Sequence, residues 1–156
     1  MTPVESNGYY ADCYVLVAER NRPFVRDFLD RFLPVRSESA DEYEVPQYSD
    51  KPTVVFKSAD ELLDYVADNP KEEYAIYWRN EAEGDIRGAM CFPTNDGRFI
   101  IGLYCVTKCP DTSIEDRVFG DLKIHCSVDT GYIAYEEDPP RNSELFSQRS
   151  MERNSR

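Results

Sequence analysis

At 156 residues the chain has the length of one domain, and a composition of 41% hydrophobic and 13% aromatic residues excludes a disordered tail. Thirty acidic against eighteen basic residues leave a net charge of -12, which disfavours nucleic-acid backbones and anionic membranes and favours cationic protein surfaces. Met1 to Gly8 is polar, no apolar run reaches the roughly 18 to 20 residues of a membrane span, and five scattered cysteines fit free thiols, so a reducing, cytoplasmic setting is expected.

The run from Tyr9 to Ala18 is rich in aromatic and β-branched residues and reads as the first strand. Asn21 stands where an N-cap belongs, with Pro23 in the first turn. Phe24, Val25, Phe28, Leu29 and Phe32 then recur at helical spacing, so an amphipathic helix is expected to end before Pro34.

Val35 to Asp50 has no sustained period and reads as a loop, with at most a short extended piece at Tyr43 to Val45. Pro52 to Phe56 is a second short strand whose proline suits a strand start or an edge. Ser58-Ala59-Asp60-Glu61 is a capping-box pattern that opens a second helix, with Leu62, Leu63 and Val66 on its buried side and Asn69-Pro70 as its stop.

Glu73 to Arg79 alternates as a third strand. Ile86 to Phe92 and Arg98 to Val106 flank Pro93-Thr94-Asn95-Asp96-Gly97, where Asp-Gly supplies the backbone freedom of a hairpin. Asp111-Thr112-Ser113 is a cap for a third helix carrying Ile114, Val118, Phe119 and Leu122, weakened by Gly120. Gly131 to Glu137 is the last strand. Beyond Pro139-Pro140 the chain is polar apart from Leu145 and Phe146, a frayed tail or a short helix.

This order describes a single α+β domain over residues 1–140, a mainly antiparallel sheet of five to six strands with about three helices packed on it, followed by a polar tail over residues 141–156.

Candidate chemistry is sparse. Cys105, Cys109, His125 and Cys126 lack the paired spacing of a zinc site, and His125 is the only histidine through which an imidazole mechanism could run. Phosphate-loop, dinucleotide, serine-hydrolase and zincin motifs are all missing. No catalytic residue, metal ligand or cofactor-binding residue is therefore assigned.

The better candidates are contact residues. Tyr77, Trp78 and Arg79, followed by Asn80, combine residue types that dominate interface energies, although Trp78 alternates in register with Ile76 and Tyr74, which favours the core. Asp96 at the hairpin tip and Glu136, Glu137 and Asp138 at a strand exit add negative charge fitted to a basic protein partner. The competing expectation is a small hydrolase or ligand-binding domain with a sheet-side pocket involving His125.

The string Tyr74-Ala75-Ile76-Tyr77-Trp78-Arg79-Asn80 is followed by Gly88-Ala89-Met90, Asp96-Gly97 and Ile101-Gly102-Leu103. Gly131-Tyr132-Ile133 and Glu136-Glu137 then precede Pro139-Pro140. On these residues the chain resembles small bacterial immunity proteins of polymorphic toxin systems. The resemblance implies an acidic single domain that blocks a cognate toxin, commonly a nuclease with a basic active site, by stoichiometric binding and without catalytic residues.

Overall fold

The computed structural model describes residues 10–154, so Met1 to Gly8 and the expected start of the first strand at Tyr9 lie outside the described residues. The fold is α+β. Strand β1 (Tyr10–Val17) leads into helix α1 (Arg22–Phe32), then the short strands β2 (Arg36–Glu38), β3 (Tyr43–Val45) and β4 (Val54–Phe56). Helix α2 (Ala59–Asp68), strands β5 (Ile76–Asn80), β6 (Ile86–Pro93) and β7 (Phe99–Val106), helix α3 (Ser113–Cys126), strand β8 (Gly131–Ala134) and helix α4 (Ser143–Asn154) follow.

Six strands form one antiparallel sheet in the order β2-β5-β6-β7-β1-β8, while β3 and β4 pair separately as a two-stranded sheet. The β6–β7 hairpin turns through Thr94 to Arg98, with Gly97 at φ 95° supplying the positive dihedral and the Thr94 hydroxyl accepting the Arg98 amide at 2.8 Å.

Local signals place the helix starts. The Asn21 side chain accepts the Phe24 amide at 2.9 Å, and the Ser58 hydroxyl accepts the Glu61 amide at 3.2 Å. The return half of the capping box lands one residue early, because the Glu61 carboxylate takes the Lys57 amide at 3.1 Å.

Alternation along the strands separates two apolar layers. Cys13, Val15 and Val17 of β1, Ile76 and Trp78 of β5, Ala89 and Cys91 of β6, and Ile101, Leu103 and Cys105 of β7 face helices α1, α2 and α3, forming the main core. The intervening residues Tyr14, Leu16, Met90, Phe92 and Ile100 face the other way, with Tyr132, Ala134 and the fully buried Phe146 of α4.

Two expectations are corrected and one pair of alternatives is decided. Val35 to Asp50 is not a plain loop, since Arg36–Glu38 adds an edge strand to the main sheet, where its three half-buried polar side chains carry no hydrophobic alternation. The 52–56 region supplies β4 of the small sheet, not a member of the main one. Of the two alternatives for the stretch after residue 140, a frayed tail or a short helix, the helix is found, 12 residues long and with Phe146 buried in the second apolar layer.

One arginine gathers the loops at the end of the sheet. All five N–H donors of Arg20 reach carbonyl oxygens, those of Val66, Thr94, Arg98, Asn69 and Glu72, at 2.7 to 3.0 Å, while its guanidinium lies 5.5 Å from the centre of the Phe99 ring. It closes the C-terminal end of α2 and fastens it to the hairpin turn.

Candidate functional site

Helix α4 covers one end of the second sheet face and leaves the other end open. There Asp12, Tyr14, Tyr77, Arg79, Met90 and Tyr104 line a concavity of about 430 Å³, walled on one side by Ser39 and on the other by Glu136, Glu137 and Asp138.

Sheet register builds its floor. One cross-strand row runs Tyr77, Met90, Gly102, Tyr14 and Tyr132, and the next runs Ser37, Arg79, Gly88, Tyr104, Asp12 and Ala134. The two glycines make room for rings that lie across the sheet. A Cβ on Gly88 would fall 2.1 Å from the Tyr104 ring, and one on Gly102 would fall 2.8 Å from the Tyr14 ring and 3.0 Å from the Met90 methyl. Edge-to-face contacts of Tyr10 with Tyr104 at 5.8 Å, and of Tyr14 and Tyr77 with Phe92 at 5.9 Å, hold the rings in place.

Asp12 is the exceptional member. Only 7% exposed, its carboxylate accepts the Glu137 amide at 3.1 Å. Burial pushes its carboxyl up to about 6; hydrogen bonds from the Glu137 and Glu136 backbone oppose the rise, and the neighbouring charges of Glu136 and Asp138 reinforce it.

The wall is shaped by the same strand. The Tyr14 hydroxyl donates to the Glu137 carbonyl at 2.7 Å, and the Tyr10 amide donates to the Glu136 carboxylate at 3.1 Å. Glu136 takes a left-handed conformation, φ 55°, which a hydrogen-bonded loop residue tolerates better than a branched one would.

Of the sequence candidates, Tyr77, Arg79, Glu136, Glu137 and Asp138 come together at this concavity. Two do not. Trp78 is 3% exposed and packs in the main core on the opposite face, because its neighbour Tyr77 takes the open side; the strand alternation decides against it as a contact residue. Asp96 accepts the Ser143 amide at 3.1 Å and the Ser143 hydroxyl at 2.8 Å, so it is engaged at the start of α4.

The acids of the wall are also unequal. Glu137 meets Arg149 at 3.2 Å and Arg153 at 3.1 Å, both from α4, whereas the Asp138 carboxylate meets Arg141 at 3.8 Å with its side chain 69% exposed. Asp12, Tyr14, Met90 and Tyr104 were missed by the sequence reading. The signal was an aspartate in the middle of an otherwise apolar strand, Tyr10-Ala11-Asp12-Cys13-Tyr14.

His125 lies in the last turn of α3 and is on the far side of the sheet from the concavity. Its Nε2 is 3.2 Å from an Asp27 carboxylate oxygen, and its ring meets Phe32 edge-on at 5.5 Å. Cys105 and Cys126 are buried and Cys109 is exposed; among the described residues no group of three or more His, Cys, Asp and Glu side chains is placed to hold a metal ion. Among the described residues no helix is long and apolar enough to cross a membrane. No protein-family model, no curated protein and no solved structure matches the chain.

Proposed function

We propose that this chain acts by binding, as a cytoplasmic acidic protein that occludes a basic protein partner in one-to-one fashion, in the manner of the immunity proteins of toxin systems. The observation that carries the reading is the uncovered end of the sheet, where tyrosines and Met90 form a rigid aromatic floor beside a wall of carboxylates. Tyrosine gives large contact area at little cost in side-chain entropy, and a cation from the partner would find ring faces and carboxylates together. The net charge of -12 speeds encounter with a positively charged surface.

Asp12 supports the same reading. Keeping a carboxylate that burial discourages from ionising costs stability in the free protein, and a docked lysine or arginine would relieve that cost.

The test is co-purification from cells that make the chain, followed by reconstitution of the purified pair. A basic protein forming a one-to-one complex, with an association rate that falls steeply as salt is raised, is the expected result. Failure to retain any basic protein at low salt removes the proposal.

One observation favours a second reading, a ligand-binding or hydrolytic pocket. A carboxyl that titrates near 6 in a concave site has the protonation behaviour of a general acid. That chemistry would run through Asp12 and not through His125, and turnover of an ester, amide or glycoside abolished by Asp12→Asn would establish it.

A further inference from the structure

The concavity at Asp12 is not isolated. It shares Ser39 and Tyr77 with a second hollow of about 240 Å³ lined by Tyr43, Glu44 and Tyr74, and this in turn shares Gln47 and Tyr48 with a third of about 420 Å³ that ends at Lys71, Glu72 and Arg141. The three form one bent groove from β1, across the sheet to β5 and round to the β3–β4 connection.

We propose that this groove receives an extended, basic segment of the partner polypeptide, with one lysine or arginine head group seated against Asp12 and the Tyr104 and Tyr77 rings. The inference rests on the binding reading above and specifies what the partner presents.

Shape argues for an extended chain. A helix with side chains is roughly 10 Å across and straight, whereas the path here turns through three successive hollows that share lining residues. An extended strand places every second side chain on the same side and can bend between residues.

Charge argues for a basic one. Six carboxylates line the first two hollows against the single guanidinium of Arg79, so a cationic segment is drawn there, while Lys71 and Arg141 balance Glu72 and Glu73 in the third. Tyr48, Tyr77 and Tyr104, the groove tyrosines that are not buried, supply faces on which guanidinium groups stack, and the buried Tyr14, Tyr43 and Tyr74 back them.

Tyr48 gives an independent pointer at the far end. It is 81% exposed, the most exposed of the large apolar side chains described, and it sits at φ 65°, an uncommon conformation for a bulky residue. A ring held outward in this way adds nothing to the core and is placed to cover a segment lying in the groove.

The test uses a fluorescein-labelled peptide of alternating arginine and serine, about nine residues and so roughly 30 Å when extended, titrated by anisotropy and by NMR of the labelled protein. An acidic peptide with glutamate in place of arginine is the control. Binding should perturb Asp12, Tyr77, Tyr104 and Tyr48. Asp12→Asn, which removes a charge, and Ser39→Trp, which fills the groove at an exposed position without changing charge, should each weaken it about tenfold. Asp121→Asn, the same charge loss on the exposed side of α3, should change it by less than about twofold.

Equal weakening by Asp12→Asn and Asp121→Asn would reduce the effect to general electrostatics and overturn the proposal, as would unaltered binding by Ser39→Trp or no binding of the arginine peptide. A basic protein that binds the wild type and both groove variants alike would sink the groove and leave the binding reading standing. Absence of any basic partner would sink the binding reading itself.

Discussion

Asp96 caps the amide and the hydroxyl of Ser143 at 3.1 and 2.8 Å, so the tip of the β6–β7 hairpin holds the first turn of α4 across 47 residues of sequence. Asn142 completes the arrangement by accepting the Glu144 and Leu145 amides at 3.0 and 3.1 Å, and its own amide reaches Asn95. An acid at a helix N-terminus is favoured by the aligned peptide dipoles. Asp96→Ala should cost about 1 kcal/mol and raise hydrogen exchange in α4 before the rest of the sheet. Burial alone would raise the Asp96 carboxyl, but bonds from Thr94 and Ser143 outweigh it and hold it below the usual range. Its contribution is therefore present above the unfolded value and lost as pH falls through the folded one, which a denaturation series from pH 7 down to pH 3 checks against the alanine variant.

Asp12 has the opposite sign. Its folded value near 6 lies above the ordinary 3.8, so the folded protein holds the proton more tightly and the stability this gives is fully present below pH 3.8 and lost as pH rises through 6. Asp12→Asn, which still offers an oxygen to the Glu137 amide, should stabilise the protein at pH 8 by about 2 kcal/mol and have no such advantage at pH 3.5. Thermal unfolding of the two proteins at both values measures it; a constant difference across pH would contradict the assignment.

The same titration predicts the pH course of binding. Cationic ligands favour the ionised carboxylate, so affinity for a basic partner should increase between pH 5 and 7 in the wild type and be flatter in Asp12→Asn. The other charged groups lining the concavity with Asp12 are Glu136, Glu137 and Asp138 from the wall and Arg79 from β5, and none is altered in that comparison.

Arg20→Lys should be costly although it keeps the charge. A lysine has three donors on one nitrogen and cannot span the carbonyls of Val66, Asn69, Glu72, Thr94 and Arg98, so the change should cost about 3 kcal/mol. Urea denaturation gives the value, and fraying should begin at the C-terminal end of α2.

Glu115 of α3 is fully buried and accepts the hydroxyls of Thr107 and Tyr135, each at 2.7 Å, on one carboxyl oxygen. Glu115→Gln retains an oxygen for both and should change stability by less than about 1 kcal/mol. Glu115→Ala opens a void and removes their acceptor, and should cost about 3 kcal/mol in the same assay.

What could be read in the sequence was local. Asn21 and Ser58 act on amides three residues away, and Asp96-Gly97 sets a turn within five residues, so no distant contact is needed to anticipate them. Strand β2 escaped because Arg36, Ser37 and Glu38 owe their pairing to β5 at the sheet margin and have no apolar face to announce it. Helix α4 was legible only as one of two alternatives because Phe146 alone is its large buried apolar side chain, while Leu145 and Met151 face solvent. At the site, residues from β5 and from the loop that leaves β8 were foreseen, but the floor is made by register between strands far apart in sequence. Asp12 meets Tyr104 and Arg79 only once β1, β7, β6 and β5 are aligned. Trp78 and Tyr77, adjacent in the chain, are separated by the thickness of the sheet.

The last turns of α4 also finish the sheet at its β8 border. The Ser150 hydroxyl both takes the Gly131 amide at 3.0 Å and gives to the Gly131 carbonyl at 2.8 Å, and the Asn154 amide adds a bond to that carbonyl at 2.7 Å. The backbone groups of Gly131 at that margin are thus spoken for, so an incoming strand cannot pair with them to begin stacking copies of this protein into fibres.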